Sequence, residues 1–278
     1  MLLDKEESSI VGNSLVPLKP KGNKIPLYLI HGVGLSVVKF NDMVKYLDKD
    51  QPVYGLQGMG VSGQDEYLES IKEIAAHYVA TITKSNPKGP YALAGHSYGG
   101  IISYEMARQL TSQGRKVSML AMLDTCLEPS FYYSSYFRKT LARMDYQIKK
   151  KLFVLNEMSK SWENVKFHLN RIKRNLIDRN FGEQSPESNY LLEIEKANDN
   201  IVKRYQIIPE DFKIDLFRAQ KVMFFEYDPV YLGWKDVALK GLHIHEVYGD
   251  HLDMFSPPND KLTANILQSI LNQRNSGN

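Results

Sequence analysis

Apolar residues along this chain follow two spacings, and each spacing predicts one kind of secondary structure. Six runs of four to seven residues contain either continuous or closely spaced apolar side chains and predict β-strands. They are Ile25–Ile30, Pro52–Gln57, Tyr91–Ala94, Val117–Leu123, Lys213–Ala219 and Leu242–Val247. Elsewhere, apolar residues recur three or four positions apart, as on one face of an α-helix. The clearest of these helical stretches is Tyr67–Ser85, which ends before Asn86 and Pro87.

Strands and helices alternate from Ile25 to Leu123, which is typical of βαβ units and a parallel sheet. The last predicted strand is followed by a closing helix, whose apolar positions run from Leu262 to Leu271. The carboxyl ends of parallel strands meet at one edge of a sheet, and ligands bind beyond that edge. We therefore expect an α/β fold with a mostly parallel central sheet flanked by helices.

Two segments depart from this alternation. Residues 1–24 are polar and contain Pro17, Pro20 and Gly22, so we expect a flexible N-terminal arm ahead of a single domain over residues 25–278. Residues 127–212 have a helical pattern without strands. Because they follow a strand of the sheet, we expect a helical lid inserted over the sheet edge.

The sequence Gly95-His96-Ser97-Tyr98-Gly99 lies between a predicted strand and a predicted helix. This strand–turn–helix context is that of the nucleophile elbow of the α/β-hydrolase fold. The turn is so sharp that neighbouring side chains would collide, which explains a glycine on each side of it. Its strain holds the Ser97 hydroxyl out above the sheet edge, where a base can reach it.

A serine nucleophile needs a base within hydrogen-bond reach, and that base needs an acid to orient it. In this architecture the chain order is serine, acid, histidine, and His251, just after the last predicted strand, is the candidate base. Asp124 and Asp228 are the candidate acids. Asp124 ends the strand that follows the elbow helix, whereas Asp228 lies in an irregular loop. We favour Asp124, since a loosely held carboxylate orients an imidazole poorly.

Acyl chemistry also needs hydrogen-bond donors for the oxyanion. One donor is expected to be the backbone N–H of Tyr98, the residue after the nucleophile. The second is expected from the loop after the first strand, His31-Gly32-Val33-Gly34, where we assign it to Val33.

Composition narrows the function classes further. A net charge of +3 on 278 residues gives no strong electrostatic signal, and the absence of a nucleic-acid-binding motif argues against DNA or RNA as a partner. The sequence contains no paired cysteines and no His-Glu-x-x-His motif, so we expect neither a metal nor a bound cofactor. A single cysteine, a charged start without a secretory pattern and the lack of a membrane-length apolar run favour a cytoplasmic protein.

Four motifs together resemble the thioesterase domains of nonribosomal peptide and polyketide synthases and the related fatty acid synthase thioesterases. The resemblance extends over residues 14–271. The motifs are Leu-Tyr-Leu-Ile-His-Gly-Val-Gly at 27–34, Gln-Pro-Val-Tyr-Gly-Leu-Gln at 51–57, Gly-Pro-Tyr-Ala-Leu-Ala-Gly-His-Ser-Tyr-Gly-Gly at 89–100 and Val-Tyr-Gly-Asp-His-Leu-Asp-Met-Phe at 247–255.

The resemblance implies a function and a partner. Members of that family accept an acyl chain from the phosphopantetheine arm of an acyl or peptidyl carrier protein onto serine, and release it by hydrolysis or cyclisation. The family places its acid after the strand that follows the elbow helix, which supports Asp124, and it carries a Gly-Trp element, here Gly233-Trp234. It also has a helical lid. Between Arg138 and Arg179 the chain has 12 basic and 4 acidic residues, a charge that would suit an acidic carrier protein.

Two other functions fit the same residues. A carboxylesterase or lipase would use the same serine, aspartate and histidine on an oxygen ester. A non-catalytic module would only bind a carrier protein, and its serine would not react with an acyl substrate. Rates on matched esters and thioesters, and labelling of the serine, distinguish these alternatives.

Overall fold

Within the residues that the structure describes, seven strands form one sheet. The computed structural model describes residues 14–58, 68–133, 135–160, 162, 165–166, 186–222 and 224–275. In chain order the strands are β1 Leu15–Lys19, β2 Leu27–Ile30, β3 Val53–Leu56, β4 Tyr91–His96, β5 Val117–Leu123, β6 Ile214–Lys221 and β7 Leu242–Asp250. Their order in the sheet is β1-β3-β2-β4-β5-β6-β7, with only β1 antiparallel to its neighbour. The predicted mostly parallel sheet is confirmed.

Helices cover the sheet on both sides. They are α1 Asn41–Val44, α2 Ile71–Ser85, α3 Tyr98–Ser112, α4 Tyr136–Lys160, α5 Pro186–Arg204 and α6 Asp260–Asn275, with short 3₁₀ turns at Val38–Phe40 and Pro129–Tyr132. The α2 helix begins after Ser70, whose side chain accepts a hydrogen bond from the backbone N–H of Glu73 as an N-cap. Among the described residues, no helix combines the length and apolar character needed to cross a membrane.

Two apolar layers pack against the faces of the sheet. Successive residues of β2 point to opposite faces, so Tyr28 and Ile30 enter the layer that α2 and α3 cover. Leu27 and Leu29 enter the other layer, which includes residues of α1 and α6. All four side chains are fully buried, because a central strand of a parallel sheet is covered on both faces. This explains why β2 reads as a continuous apolar run.

The prediction of a flexible arm over residues 1–24 is wrong for Leu15–Lys19. These residues form β1, which pairs with β3 at the edge of the sheet. An edge strand has one neighbour, so its side chains are only half-buried and its sequence need not be a continuous apolar run. Residues 1–13 of the predicted arm lie outside the described residues.

The predicted lid region contains two long helices, α4 and α5. The α4 helix is joined to the segment after β6 by ring contacts, since Phe225 packs against Tyr146 and Phe153. The Tyr227 hydroxyl also donates a hydrogen bond to the Asp145 carboxylate, at 2.9 Å. Most of residues 161–185, which include part of the predicted basic run, lie outside the described residues.

Candidate active site

Ser97 occupies the tight turn between β4 and α3. Its backbone has φ +54° and ψ −119°, a conformation that is strained for a residue with a side chain. A Cβ atom on Gly95 would lie 2.1 Å from the carbonyl oxygen of Gly99, and one on Gly99 would lie 2.2 Å from that of His31. Glycine is required at both positions because α3 starts in direct contact with the ends of β4 and β2.

Asp124 follows β5 directly and is 4% exposed. Its Oδ2 lies 2.7 Å from Nδ1 of His251, and its Oδ1 accepts a hydrogen bond of 3.0 Å from the backbone N–H of Ala219. Because an ionised carboxylate only accepts hydrogen bonds, the hydrogen between Asp124 and His251 belongs to Nδ1. In the neutral imidazole, Nε2 is then left with its lone pair free to act as a base.

Asp228, the other candidate acid, is engaged elsewhere. Its two carboxylate oxygens accept hydrogen bonds from the backbone N–H groups of Val230, Tyr231 and Gly233, at 3.1 to 3.2 Å. It therefore stabilises the turn at the start of the Gly-Trp element, as aspartate often does in turns. The structure pairs His251 with Asp124 and not with Asp228.

His251 lies in the turn after β7, where hydrogen bonds fix the backbone on both sides of it. The Asp250 side chain accepts hydrogen bonds from the N–H groups of Leu252 and Asp253. The backbone N–H of Asp250 in turn donates to the Asp253 carboxylate at 2.6 Å. On the side-chain face, the ring of Phe224 contacts the His251 imidazole edge-on, at 5.5 Å between centroids.

Both residues assigned to oxyanion binding lie at the same site. Tyr98 is the first residue of α3, so its N–H belongs to the helix end that has no intrahelical acceptors. The helix dipole places partial positive charge at that end, which favours a developing negative charge. Val33 lines the same cavity as Tyr98, and its carbonyl accepts a hydrogen bond of 3.1 Å from the side chain of Asn198 in α5.

A cavity of about 380 Å³ brings the predicted residues together. Ser97, Asp124, His251, Val33 and Tyr98 all line it. Its remaining wall is partly apolar and partly acidic, and comes from α3, the segment after β5, the lid helices and the segment after β6. Its lining residues include Cys126, Asn198, Phe224 and Glu226.

Burial shifts the pKa of Glu226, in the wall of this cavity, and of His31 beside it. The pKa of Glu226 is raised to about 7, chiefly because the carboxyl is partly buried and then because Asp124 is close by. His31, at the start of the oxyanion loop, is fully buried, and this lowers its pKa to about 4. His31 is therefore neutral at pH 7 and adds no charge to the site.

Several contacts that support the site were not predicted from the sequence. Asn198 is 1% exposed, and it connects the lid to the oxyanion loop. Trp234, which is fully buried, donates a hydrogen bond of 2.7 Å from its indole N–H to the carbonyl of Thr125, next to Asp124. No group of three or more potential metal ligands occurs among the described residues.

A family model described as "Thioesterase domain" matches residues 25–271 of this chain. Among curated proteins, malpinin synthetase from Mortierella alpina is 40% identical over 112 residues, which is 40% of this chain and 1% of that protein. The chain therefore corresponds to a small part of that relative.

Two solved structures are similar over most of the chain. One is a four-domain nonribosomal peptide synthetase, AB3403, with a TM-score of 0.68 and 23% identity over 92% of this chain and 20% of that one. The other is the NocB thioesterase domain in covalent complex with a fluorophosphonate nocardicin G analog. It has a TM-score of 0.66 and 21% identity, over 93% of this chain and 99% of that domain. At these identities the two structures establish a shared fold.

Proposed function

The chain belongs to the thioesterase domain family, and we propose that it releases an acyl chain from a carrier protein through an acyl-enzyme on Ser97. The acyl chain is a polyketide, peptidyl or fatty acyl group. It reaches the site as a thioester of the phosphopantetheine arm of the carrier, so the enzyme itself needs no bound cofactor. Its release is by hydrolysis or by attack of a nucleophile within the same chain.

The chemistry proceeds in two steps. In the first, Nε2 of His251 takes the proton of the Ser97 hydroxyl while Oγ attacks the thioester carbonyl. The carbon–sulfur bond breaks, the thiolate leaves with the proton from His251, and the acyl group remains on Ser97. In the second, water or an internal hydroxyl or amine attacks the acyl carbonyl and gives a proton to Nε2 of His251. The ester bond to Ser97 Oγ then breaks, and His251 returns the proton to Oγ. Asp124 accepts the hydrogen bond from Nδ1–H of His251 throughout, both in the neutral ring and in the imidazolium that forms when Nε2 takes the proton.

Charge develops on the carbonyl oxygen in both steps. The N–H groups of Tyr98 and Val33 are proposed to donate hydrogen bonds to it. The amino end of α3 adds favourable partial charge. Removal of one such donor typically slows an acyl transfer by about 100- to 1,000-fold.

A single observation carries this proposal. The hydrogen bond of 2.7 Å between Asp124 and His251 lies in the wall of the cavity that also exposes the strained Ser97. The pair is an oriented base, and the elbow presents a nucleophile to the same space. The bound carrier protein is proposed from the family and from the basic character of Arg138–Arg179.

Turnover of matched substrates tests the proposal. The same acyl group is presented as a thioester on a carrier protein, as a thioester on free pantetheine and as an oxygen ester, with Ser97→Ala as the inactive control. We expect the carrier thioester to have the highest kcat/KM, and Ser97→Ala to have no activity above background. A preference for the oxygen ester would indicate a carboxylesterase, and an unreactive wild-type protein would indicate a binding module.

A further inference from the structure

Lys39, in the 3₁₀ turn Val38–Phe40, is a lysine in an apolar environment. Its Nζ lies 5.3 Å from the centroid of the Phe255 ring and 2.6 Å from Nδ1 of His96. Burial lowers the pKa of Lys39 to about 8, and no described carboxylate offsets that effect. An amine that is mostly charged at pH 7 and largely shielded from water lowers the stability of the fold, so we expect Lys39 to have a functional role.

His96 connects Lys39 to the candidate base. It is 2% exposed, and its Nε2 lies 3.0 Å from the backbone carbonyl oxygen of His251. A carbonyl oxygen only accepts, so Nε2 carries the hydrogen. Burial, followed by the nearby Lys39 and His251, lowers the pKa of His96 well below its ordinary value, so the ring is neutral. Nδ1 is therefore an acceptor, and the Lys39 ammonium donates to it.

The two residues lie against three segments that contribute to the proposed reaction: the turn of Ser97, the turn of His251 and the loop after β2. His96 immediately precedes Ser97, and its ring packs against the His251 ring at 4.6 Å between centroids. A Cβ atom on Gly32, in the oxyanion loop, would lie 3.1 Å from His96 Nδ1 and 3.7 Å from Lys39 Nζ. The Lys39–His96 pair thus lies directly behind the nucleophile, the base and the oxyanion loop.

We propose that Lys39 and His96 are positioning residues: Lys39 fixes the tautomer of His96, and His96 holds the backbone of His251 at the distance from Ser97 that proton transfer requires. Asp124 fixes the imidazole of His251, and His96 fixes the main chain that carries it. The inference rests on the proposed function, since it assigns the role of base to His251.

Three variants separate this role from simple packing. In Lys39→Met the apolar stem is kept and the donor is lost. His96→Phe keeps a flat ring and removes both hydrogen bonds. In His96→Gln an amide oxygen can accept from Lys39 while the amide nitrogen donates to the His251 carbonyl. Lys45→Met and His243→Phe are matched controls at exposed positions outside the site.

The rate of labelling of Ser97 by a fluorophosphonate is the main readout, because it depends on the base and not on the identity of the acyl substrate. We expect labelling to slow by about 10- to 100-fold in Lys39→Met and His96→Phe, and by less than about 5-fold in His96→Gln. In the thioester assay kcat should fall while KM stays the same. The melting temperature of Lys39→Met should be equal to or above that of the wild type, since the substitution removes a half-buried charge that no described carboxylate offsets.

Nitrogen NMR of the wild-type protein provides an independent measurement, since it distinguishes the two tautomers of a neutral histidine. We expect His96 to carry its hydrogen on Nε2, and Lys39→Met to lose this single state. The inference is overturned if labelling is unchanged in Lys39→Met and His96→Phe, if His96→Gln is as slow as His96→Phe, or if His96 carries its hydrogen on Nδ1. If Ser97 is labelled normally but no thioester is turned over, the proposed substrate is wrong and the positioning role remains.

Discussion

Asp124→Asn is the substitution whose effect the structure predicts in most detail. The Asp124 carboxylate accepts two hydrogen bonds, from Nδ1 of His251 and from the backbone N–H of Ala219. An asparagine has one accepting oxygen and one donating nitrogen. The N–H of Ala219 is fixed by the backbone, so the asparagine oxygen is expected to face it. The amide nitrogen must then face His251.

That arrangement imposes the wrong tautomer on the base. A donor opposite Nδ1 turns this nitrogen into an acceptor and moves the ring hydrogen to Nε2, which can no longer take a proton from Ser97. In serine proteases the equivalent change lowers kcat by about 10⁴. We expect the same order here, equivalent to about 5.5 kcal/mol of transition-state free energy. The fold should be preserved, because the substitution changes neither volume nor the hydrogen bond to Ala219.

Thiol release from an acyl thioester measures this directly, with Asp228→Asn as the matched control. In Asp228→Asn one hydrogen bond in a turn is lost, at a cost of about 1 kcal/mol of stability, and kcat should stay within about 3-fold of the wild type. Activity of Asp124→Asn within tenfold of the wild type would refute the reasoning about the tautomer. A larger loss in Asp228→Asn than in Asp124→Asn would move the acid to the later loop.

Two further predictions concern the wall of the cavity. Asn198→Leu removes the hydrogen bond from the lid to the Val33 carbonyl. We expect kcat to fall by about 10-fold, with a smaller change in KM. A loss confined to KM would contradict a role for Asn198 in holding the loop that contains Val33. The pKa of Glu226 is raised to about 7 in the folded protein, whereas the unfolded chain loses this proton near pH 4.5. The wild type therefore loses stability as the pH rises from about 4.5 to 7. Glu226→Gln should therefore become more stable than the wild type over this range, by about 1 to 2 kcal/mol for a partly exposed group. An equal pH dependence of urea unfolding in the two proteins would contradict the raised pKa of Glu226.

The central part of the sheet and the elbow could be predicted from local sequence. Buried parallel strands such as β4 and β5 are continuous apolar runs, and the elbow needs glycine at Gly95 and Gly99 for steric reasons that any backbone of this shape imposes. Asp124 is also favoured by its local position at the end of a buried strand; the structure places it against His251, and its role as the acid stays a prediction. These are properties of a residue and its neighbours in the chain.

The features that were missed depend on residues far apart in the chain. The β1 strand is a short apolar run interrupted by Pro17 and lies at the edge of the sheet, so it does not have the continuous apolar pattern of a central strand. The pairs Lys39–His96 and His96–His251 join residues 57 and 155 positions apart. No spacing within one helix or strand indicates such contacts. The same is true of Asn198, which has no local feature that distinguishes it from a solvent-exposed polar residue.

The proposed reaction passes through an acyl-enzyme on Ser97, which mass spectrometry can detect. The protein is mixed with an acyl thioester, quenched in acid within milliseconds and analysed by intact and peptide mass spectrometry. We expect a mass increase equal to the acyl group, located on the peptide that contains Ser97 and absent in Ser97→Ala. An acyl group on Cys126 instead, or substrate turnover that persists in Ser97→Ala, would contradict the proposed reaction.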